Sequence, residues 1–388
     1  MPTISVIVPT HNRPHFLHQA IKSILAQSFA DLEAIVVDDG SEDDTRNTVL
    51  SFHDSRIRYI YQEKGGRSVA RNRGLIQSQG DYVAFLDDDD LFFSHKIDSQ
   101  LRFLHDNPKI DLVNSGVWYI DSQNSFLGIY APWLYEQSIS FHSALYSTRM
   151  TTHSVLFRRS VLESLDQWFD PELDLCEDAD FLIRILQNGC RAGMLRGFVG
   201  AYRIHSSNSA SGGVEYARSY RKVLDRVFLS RDLPPSVLED RKKVYAHFLV
   251  VAACRAYAAR DASTAREYLE EATEKEPALV EERITEIMAR FAGFAGSDPR
   301  PFVEFALANL PDSLAHYHYF KREIFKKVLE NQLVMERELQ VFTKTAVGKS
   351  LLREFPKVNG RQAKTIGGPN VLAHNAYRLP DSAVGATE

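Results

Sequence analysis

The sequence predicts an α/β fold with a mostly parallel sheet between helices over residues 1–212. An all-α region over 213–352 and a poorly ordered tail over 353–388 follow it. Three observations carry this prediction. Short apolar runs alternate with amphipathic stretches through residues 4–119, the pattern of βαβ units. From 213 the helical period takes over from strand signals. From 353 the chain turns to Gly, Pro and polar residues, which bury too little apolar surface to order.

Bulk properties set the frame. A chain of 388 residues suggests two domains. Hydrophobic residues at 44% and charged residues at 25% are a globular balance with ample core material. A net charge of −5 gives no general attraction to nucleic acid. Cys176, Cys190 and Cys254 are too widely spaced for a disulfide framework or a zinc pattern, which favours a reducing compartment. Residues 4–8 already read as a strand with no basic-then-apolar leader before them. The apolar stretch 247–259 carries Arg255 and falls short of the roughly 20 residues a membrane span needs. A soluble, cytoplasmic protein is the expectation.

Taken in order, β-rich runs occur at 4–8, 32–37, 57–61, 82–86 and 112–119. Their near-continuous apolar character suits strands covered on both faces. Amphipathic stretches at 14–27, 43–52, 68–78 and 94–105 lie between them, the first opened by Pro14 at a favoured helix-start position. From 119 to 210 the pattern loosens around Trp118, Tyr119, Tyr130, Trp133 and Tyr135. Such aromatics stack on sugar rings or, more commonly, pack in a core. Helix signals return at 160–165 and 176–188, with a strand at 198–204 and a small, polar boundary at 206–213. Residues 257–277 look like half of a tetratricopeptide-type hairpin. Repeat architectures need about three copies, so one copy reads as a helical appendage.

Open α/β sheets bind ligands at the carboxyl ends of their strands. Polar segments sit there after the first strand (Pro9-Thr10-His11-Asn12-Arg13), the second (Asp38-Asp39-Gly40-Ser41) and the fourth (Asp87-Asp88-Asp89-Asp90). One aspartate would serve as a helix cap. Four in a row repel one another unless a cation shares the space, and oxygen-only ligands suit Mg²⁺ or Mn²⁺.

These segments, with Gly65-Gly66-Arg67-Ser68-Val69-Ala70-Arg71-Asn72-Arg73-Gly74, the run from Gly80 to Asp90 and Glu177-Asp178-Ala179-Asp180-Phe181-Leu182-Ile183-Arg184, form an ordered set. The set resembles the family 2 inverting glycosyltransferases of GT-A fold across roughly residues 3–210. The resemblance implies that Asp39 accepts the imide N–H of a uracil, with Thr10 and Arg13 beside it. It implies that Arg71 approaches the diphosphate, where a guanidinium pairs well with phosphate oxygens. Asp89 would ligate Mn²⁺ or Mg²⁺, with His205 near the metal or diphosphate, and Asp87 and Asp88 would support the ion and the ribose. Asp90 and the pair Phe92-Phe93 read as the start of the next helix. Asp178 would be the general base, with Glu177 beside it and Glu177 and Asp180 raising its proton affinity. His11 and His153 carry weaker signals; His153 reads as a lining of the acceptor cleft or as a structural histidine.

The implied function is non-processive transfer from a nucleotide-sugar donor, a UDP-sugar, to a glycan or lipid-linked glycan. Non-processivity follows because the membrane helices and Gln-x-x-Arg-Trp motif of processive synthases are missing from the sequence. Arg218, Arg221, Lys222, Arg226 and Arg241-Lys242-Lys243 suggest a peripheral contact with the inner face of a membrane, although such positions commonly form solvated helix faces. One rival, a metal-dependent phosphohydrolase or nucleotidyltransferase, explains Asp87–Asp90 but not Asp39, Arg71 and Glu177-Asp178. The other, a non-catalytic sugar-nucleotide-binding scaffold, fits poorly with competent residues at every expected catalytic position.

Overall fold

A computed structural model describes residues 2–136, 138–148, 150–205, 213–294, 299–314, 321–345, 347–349 and 351. The expected tail over 353–388, and the expected boundary except Gly213, lie outside the described residues. The chain divides into two compact units, one of Met1–Tyr119 and Ile129–Arg203, the other of Ile120–Gly128 and the chain from Ile204 onward.

In the first unit β1 (Ile4–Thr10), β2 (Leu32–Asp39), β3 (Ile57–Gln62) and β4 (Tyr82–Phe85) alternate with α1 (Pro14–Leu25), α2 (Thr45–Leu50) and α3 (Arg67–Gln77). Then come β5 (Leu91–Phe92), α4 (Lys96–Asp106), β6 (Leu112–Asp121), β7 (Phe126–Tyr130), α5 (Phe141–Tyr146), β8 (Leu156–Arg158), α6 (Glu177–Gln187) and β9 (Ala192–Ile204). Among the described residues nine strands form one sheet in the order β3-β2-β1-β4-β8-β6-β9-β5, with β7 paired to β6 off this path. The sheet is mixed. β3, β2, β1 and β4 run parallel, whereas β8 meets both β4 and β6 antiparallel and β5 meets β9 antiparallel.

Every residue of β1 and β2 is buried, as expected of central parallel strands covered by helices on both faces. Helix α1 buries Leu17, Ala20, Ile21 and Ile24 at i, i+3, i+4 and i+7, one apolar stripe against the sheet. A layer of Phe85, Phe157, Phe169 and Phe181 joins β4, β8 and α6, with Phe169 and Phe181 stacked at 4.6 Å.

Some expectations need correction. Phe92 pairs with Gly200 as part of β5 instead of starting α4, because Asp90 Oδ1 accepts the backbone N–H of Arg203 at 2.8 Å and pins the two segments together. The aromatic-rich segment follows the commoner of its two expected fates: Trp118 is fully buried with its ring edge-on to Phe93, and Trp133 packs on Phe198.

From residue 213 the second unit is helical. It contains α7 (Gly213–Leu229), α8 (Pro235–Glu239), α9 (Arg241–Ala258), α10 (Ala262–Lys275), α11 (Pro277–Phe294), α12 (Arg300–Ala308) and α13 (Lys321–Thr343). Asp261 caps α10 by accepting the N–H of Thr264, which closes the expected hairpin between α9 and α10. Three basic positions are engaged within this unit: Arg221 with Glu271, Lys243 with Asp240, and Arg241 over the rings of Phe228 and Tyr245. Among the described residues no helix is long and apolar enough to cross a membrane.

Gly80 sits at the turn into β4, where an added Cβ would lie 2.5 Å from the backbone nitrogen of Ser5. Backbone cannot yield there as a side chain could. Gly80→Ala is therefore expected to cost about 1–3 kcal/mol in urea unfolding. A change within about 0.5 kcal/mol would show that β1 tolerates the intrusion.

Candidate active site

The carboxyl ends of β1, β2 and β4 lie along one edge, since Thr10 is in register with Asp38 and Ile7 with Phe85. The polar segments that follow these strands therefore meet. Thr10 Oγ1 donates to Asp88 Oδ2 at 2.7 Å. Arg13 Nη1 reaches Asp88 Oδ1 at 3.2 Å and Asp89 Oδ2 at 2.6 Å. Burial and the adjacent Asp89 charge push the Asp88 carboxyl up, against the pull of Arg13. Burial also raises Asp90, with Asp89 and Asp87 adding to it. His153 Nδ1 lies 3.1 Å from Asp90 Oδ2, and the histidine ring stacks on Tyr202. Burial lowers His153 to about 4, so the ring is neutral at physiological pH.

Asp38 and Asp39 separate in role. Asp38 accepts from the N–H of Ser41 and the hydroxyl of Tyr59, so it shapes its own turn. Asp39 Oδ1 accepts from Gln62 Nε2 at 2.7 Å and the N–H of Gly65 at 2.8 Å, and Oδ2 accepts the N–H of Gly66 at 2.8 Å. A carboxylate offers about four acceptor positions, so these bonds leave Asp39 room for one more donor. Gly66 makes this loop possible with φ +90, a left-handed conformation that suits glycine.

The acidic segment of α6 is brought to the same place by α3. Arg71 donates Nη2 to Asp87 Oδ1 and Nη1 to Glu177 Oε1, both at 2.6 Å. The guanidinium is buried and lies 5.4 Å from the centre of the Phe169 ring. Burial opposes its charge, but Asp87 and Glu177 overcome that and hold its pKa above the usual arginine value. Asn72 exchanges two hydrogen bonds with the backbone of Phe169 and ties α3 to the segment ahead of α6.

Helix α6 begins at Cys176, whose φ of 64 is left-handed, unusual for a residue other than glycine. Glu177, Asp178 and Asp180 occupy the first turn, where acidic groups complement the helix dipole. Asp178 is half-buried and accepts the N–H of Ala179. Burial first, then the Glu177 charge, push its carboxyl up to about 6. Asp180, two residues further on, is paired with Arg184 at 2.7 Å.

Thus Thr10, Arg13, Asp87, Asp88, Asp89, Arg71, Glu177 and Asp178 form one connected cluster, with Asp39 on the adjacent loop. Arg71, expected to approach the diphosphate, and Glu177, expected on the substrate side of the site, are buried and bonded to each other. His205 directly follows β9, is buried and falls in the second unit, so its role stays with the sequence expectation. The sequence reading missed Arg67, which shares the Arg71 face at i, i+4 spacing and lies 3.7 Å from Glu177.

The cluster fits a hard divalent cation. Its donors near Asp89 are all carboxylate oxygens, and Arg13 alone is shared between Asp88 and Asp89. Among the described residues no group of three or more His, Cys, Asp or Glu is arranged to hold a metal ion. Mg²⁺-type sites commonly use one or two carboxylates and complete their shell with waters and substrate phosphates.

Residues 5–166 match the model of glycosyl transferase family 2. The chain is 32% identical over 199 residues to an uncharacterized glycosyltransferase of Rickettsia typhi, covering 48% of this chain and 59% of that one. It therefore spans little more than half the length of that relative. It is 31% identical over 211 residues to the UDP-Glc:alpha-D-GlcNAc-diphosphoundecaprenol beta-1,3-glucosyltransferase WfgD of Escherichia coli, covering 54% of this chain and 79% of that one. The mannosyltransferase PcManGT of Pyrobaculum calidifontis, solved with GDP-Man and Mn²⁺, superposes with a TM-score of 0.54 at 18% identity over 85% of this chain and 87% of that one. This likeness shows the GT-A fold.

Removing Arg71 would leave Asp87 and the buried Glu177 without their shared counter-charge. Arg71→Met is expected to destabilise the protein by about 3–5 kcal/mol in urea unfolding, with part recovered by adding Glu177→Gln. A loss below about 1 kcal/mol would mean the bridge does not hold α3 to α6.

Proposed function

The chain belongs to glycosyl transferase family 2, and from that premise we propose that it transfers a sugar from a nucleotide-diphosphate donor to a hydroxyl group. A UDP-sugar is the donor, a glycan or lipid-linked glycan the acceptor, and transfer inverts the anomeric centre one sugar at a time. The activity for which the Escherichia coli relative is named, with a UDP-sugar donor and a diphosphoundecaprenol-linked acceptor, supports this choice. A lipid-linked acceptor also supports action on the cytoplasmic side, close to a membrane surface.

One observation carries the reading: Arg71 joins the acidic loop after β4 to the acidic turn of α6, with Asp178 beside the join. In the proposed reaction Asp178 takes the acceptor hydroxyl proton as the oxygen attacks the anomeric carbon. The bond from that carbon to the donor phosphate oxygen breaks, and the nucleoside diphosphate departs with its electrons. Asp39 receives the nucleobase, while Asp87 and Asp88 support the ribose side. Asp89 would hold Mn²⁺ or Mg²⁺. When bound, the ion neutralises charge gathering on the leaving diphosphate. Glu177 acts through Arg71 and through its effect on the Asp178 proton affinity.

A base with a carboxyl near 6 must be ionised to work. Activity should therefore fall as pH drops through about 6, approaching tenfold per unit below it. Asp178→Asn is expected to lower turnover by about 10²–10⁴ and abolish this acid limb, while UDP affinity in calorimetry stays near wild type. Near-normal turnover in Asp178→Asn, or an unchanged acid limb, would remove Asp178 as the base.

A further inference from the structure

The first turn of α3 holds polar groups that the proposed reaction leaves unused. Arg67 opens this eleven-residue helix after Gly66, which provides no side-chain cap. Helix starts leave backbone N–H groups without intrahelical partners and carry partial positive charge. Among the described residues no acceptor faces the N–H groups of Arg67, Ser68 or Val69. Ser68 is only 4% exposed, yet its Oγ is buried without a hydrogen-bond partner among the described residues. The Nε–H of Arg71, one turn further on, is buried and unpartnered in the same sense.

Arg67 itself makes no hydrogen bond among the described residues. Its nearest carboxylate is Glu177 at 3.7 Å, and its side chain is 40% exposed. The contrast with its neighbours is informative. Both terminal nitrogens of Arg71 are taken by Asp87 and Glu177, and Arg13 is held by Asp88 and Asp89. Arg67 thus keeps guanidinium donors to offer on the exposed side of this turn, whereas the one spare N–H of Arg71 is buried.

We propose that the first turn of α3 is a phosphate-binding subsite, with Arg67 as its charged donor and the Ser68 hydroxyl and helix-terminal N–H groups completing it. A doubly charged phosphate ester suits this set, because helix N-termini and guanidinium groups both favour phosphate oxygens. The inference rests on the glycosyl-transfer reading for the source of that phosphate, either the donor diphosphate or a phosphate on the acceptor. Arg67 adds its positive charge beside the carboxylates of Asp87 and Glu177.

Calorimetry with Mn²⁺ present tests this using UDP, uridine and inorganic pyrophosphate against wild type, Arg67→Ala and Ser68→Ala. Thermal unfolding first confirms that the variants are folded. If the donor diphosphate is the ligand, Arg67→Ala weakens UDP by about tenfold and Ser68→Ala by a smaller factor, while uridine is unchanged. If an acceptor phosphate is the ligand, UDP is unchanged and pyrophosphate binding, with or without saturating UDP, falls by about tenfold in Arg67→Ala. Unchanged UDP and pyrophosphate binding in both variants overturns the subsite. Equal losses for uridine and UDP also overturn it, since they would place the effect on the nucleobase loop. A wild-type protein that binds pyrophosphate through Arg67 but neither binds nor turns over a nucleotide sugar would sink the functional reading and leave the subsite standing.

Discussion

Arg71 lies 2.6 Å from both Asp87 and Glu177, and its burial makes those contacts compulsory. A guanidinium removed from water without partners would cost several kcal/mol, so the chain must bring two carboxylates to it. One comes from the loop after β4 and the other from the first turn of α6, ninety residues apart in the chain. The face of Phe169 lies beneath the cation, and Asn72 clamps the backbone of that same residue. Two acidic segments that would repel each other are thereby held side by side.

The remaining site geometry follows from this arrangement. With Asp87 turned toward Arg71, the next two aspartates face Thr10 and Arg13 at the end of β1. Asp90 turns inward to the backbone of Arg203 and to His153, so four adjacent carboxylates reach distinct environments. Glu177 is neutralised by Arg71, whereas the adjoining Asp178 pairs with no arginine among the described residues and keeps a raised proton affinity. Neighbouring carboxylates in one helical turn thus acquire different chemistry from their surroundings.

Much of this was legible in the sequence. The buried runs of β1, β2 and β4, the acidic loop and the α6 acids all announced themselves through period and position. Other parts could not be read that way. β5 has two residues and β8 three, too short for any alternation to register, and both depend on partners distant in the chain. The burial of Trp118 is a matter of packing that an aromatic-rich segment does not reveal. Arg67 and Arg71 lie four residues apart on one helix face, and spacing cannot tell which is buried and which is exposed. That choice depends on where Glu177 lands, a long-range contact invisible to local pattern. The same holds for Asp39, whose bonds to Gln62, Gly65 and Gly66 arise only once the loop after β3 has closed.

The idea that one buried cation couples the two acidic segments is tested most directly by a double-mutant cycle. Unfolding free energies in urea would be measured for wild type, Asp87→Asn, Glu177→Gln and the double variant. Either carboxylate alone still neutralises Arg71, so the double variant should cost at least about 1 kcal/mol more than the sum of the single losses. Additivity within about 0.5 kcal/mol would contradict the coupling and leave Asp87 and Glu177 as independent neighbours of Arg71.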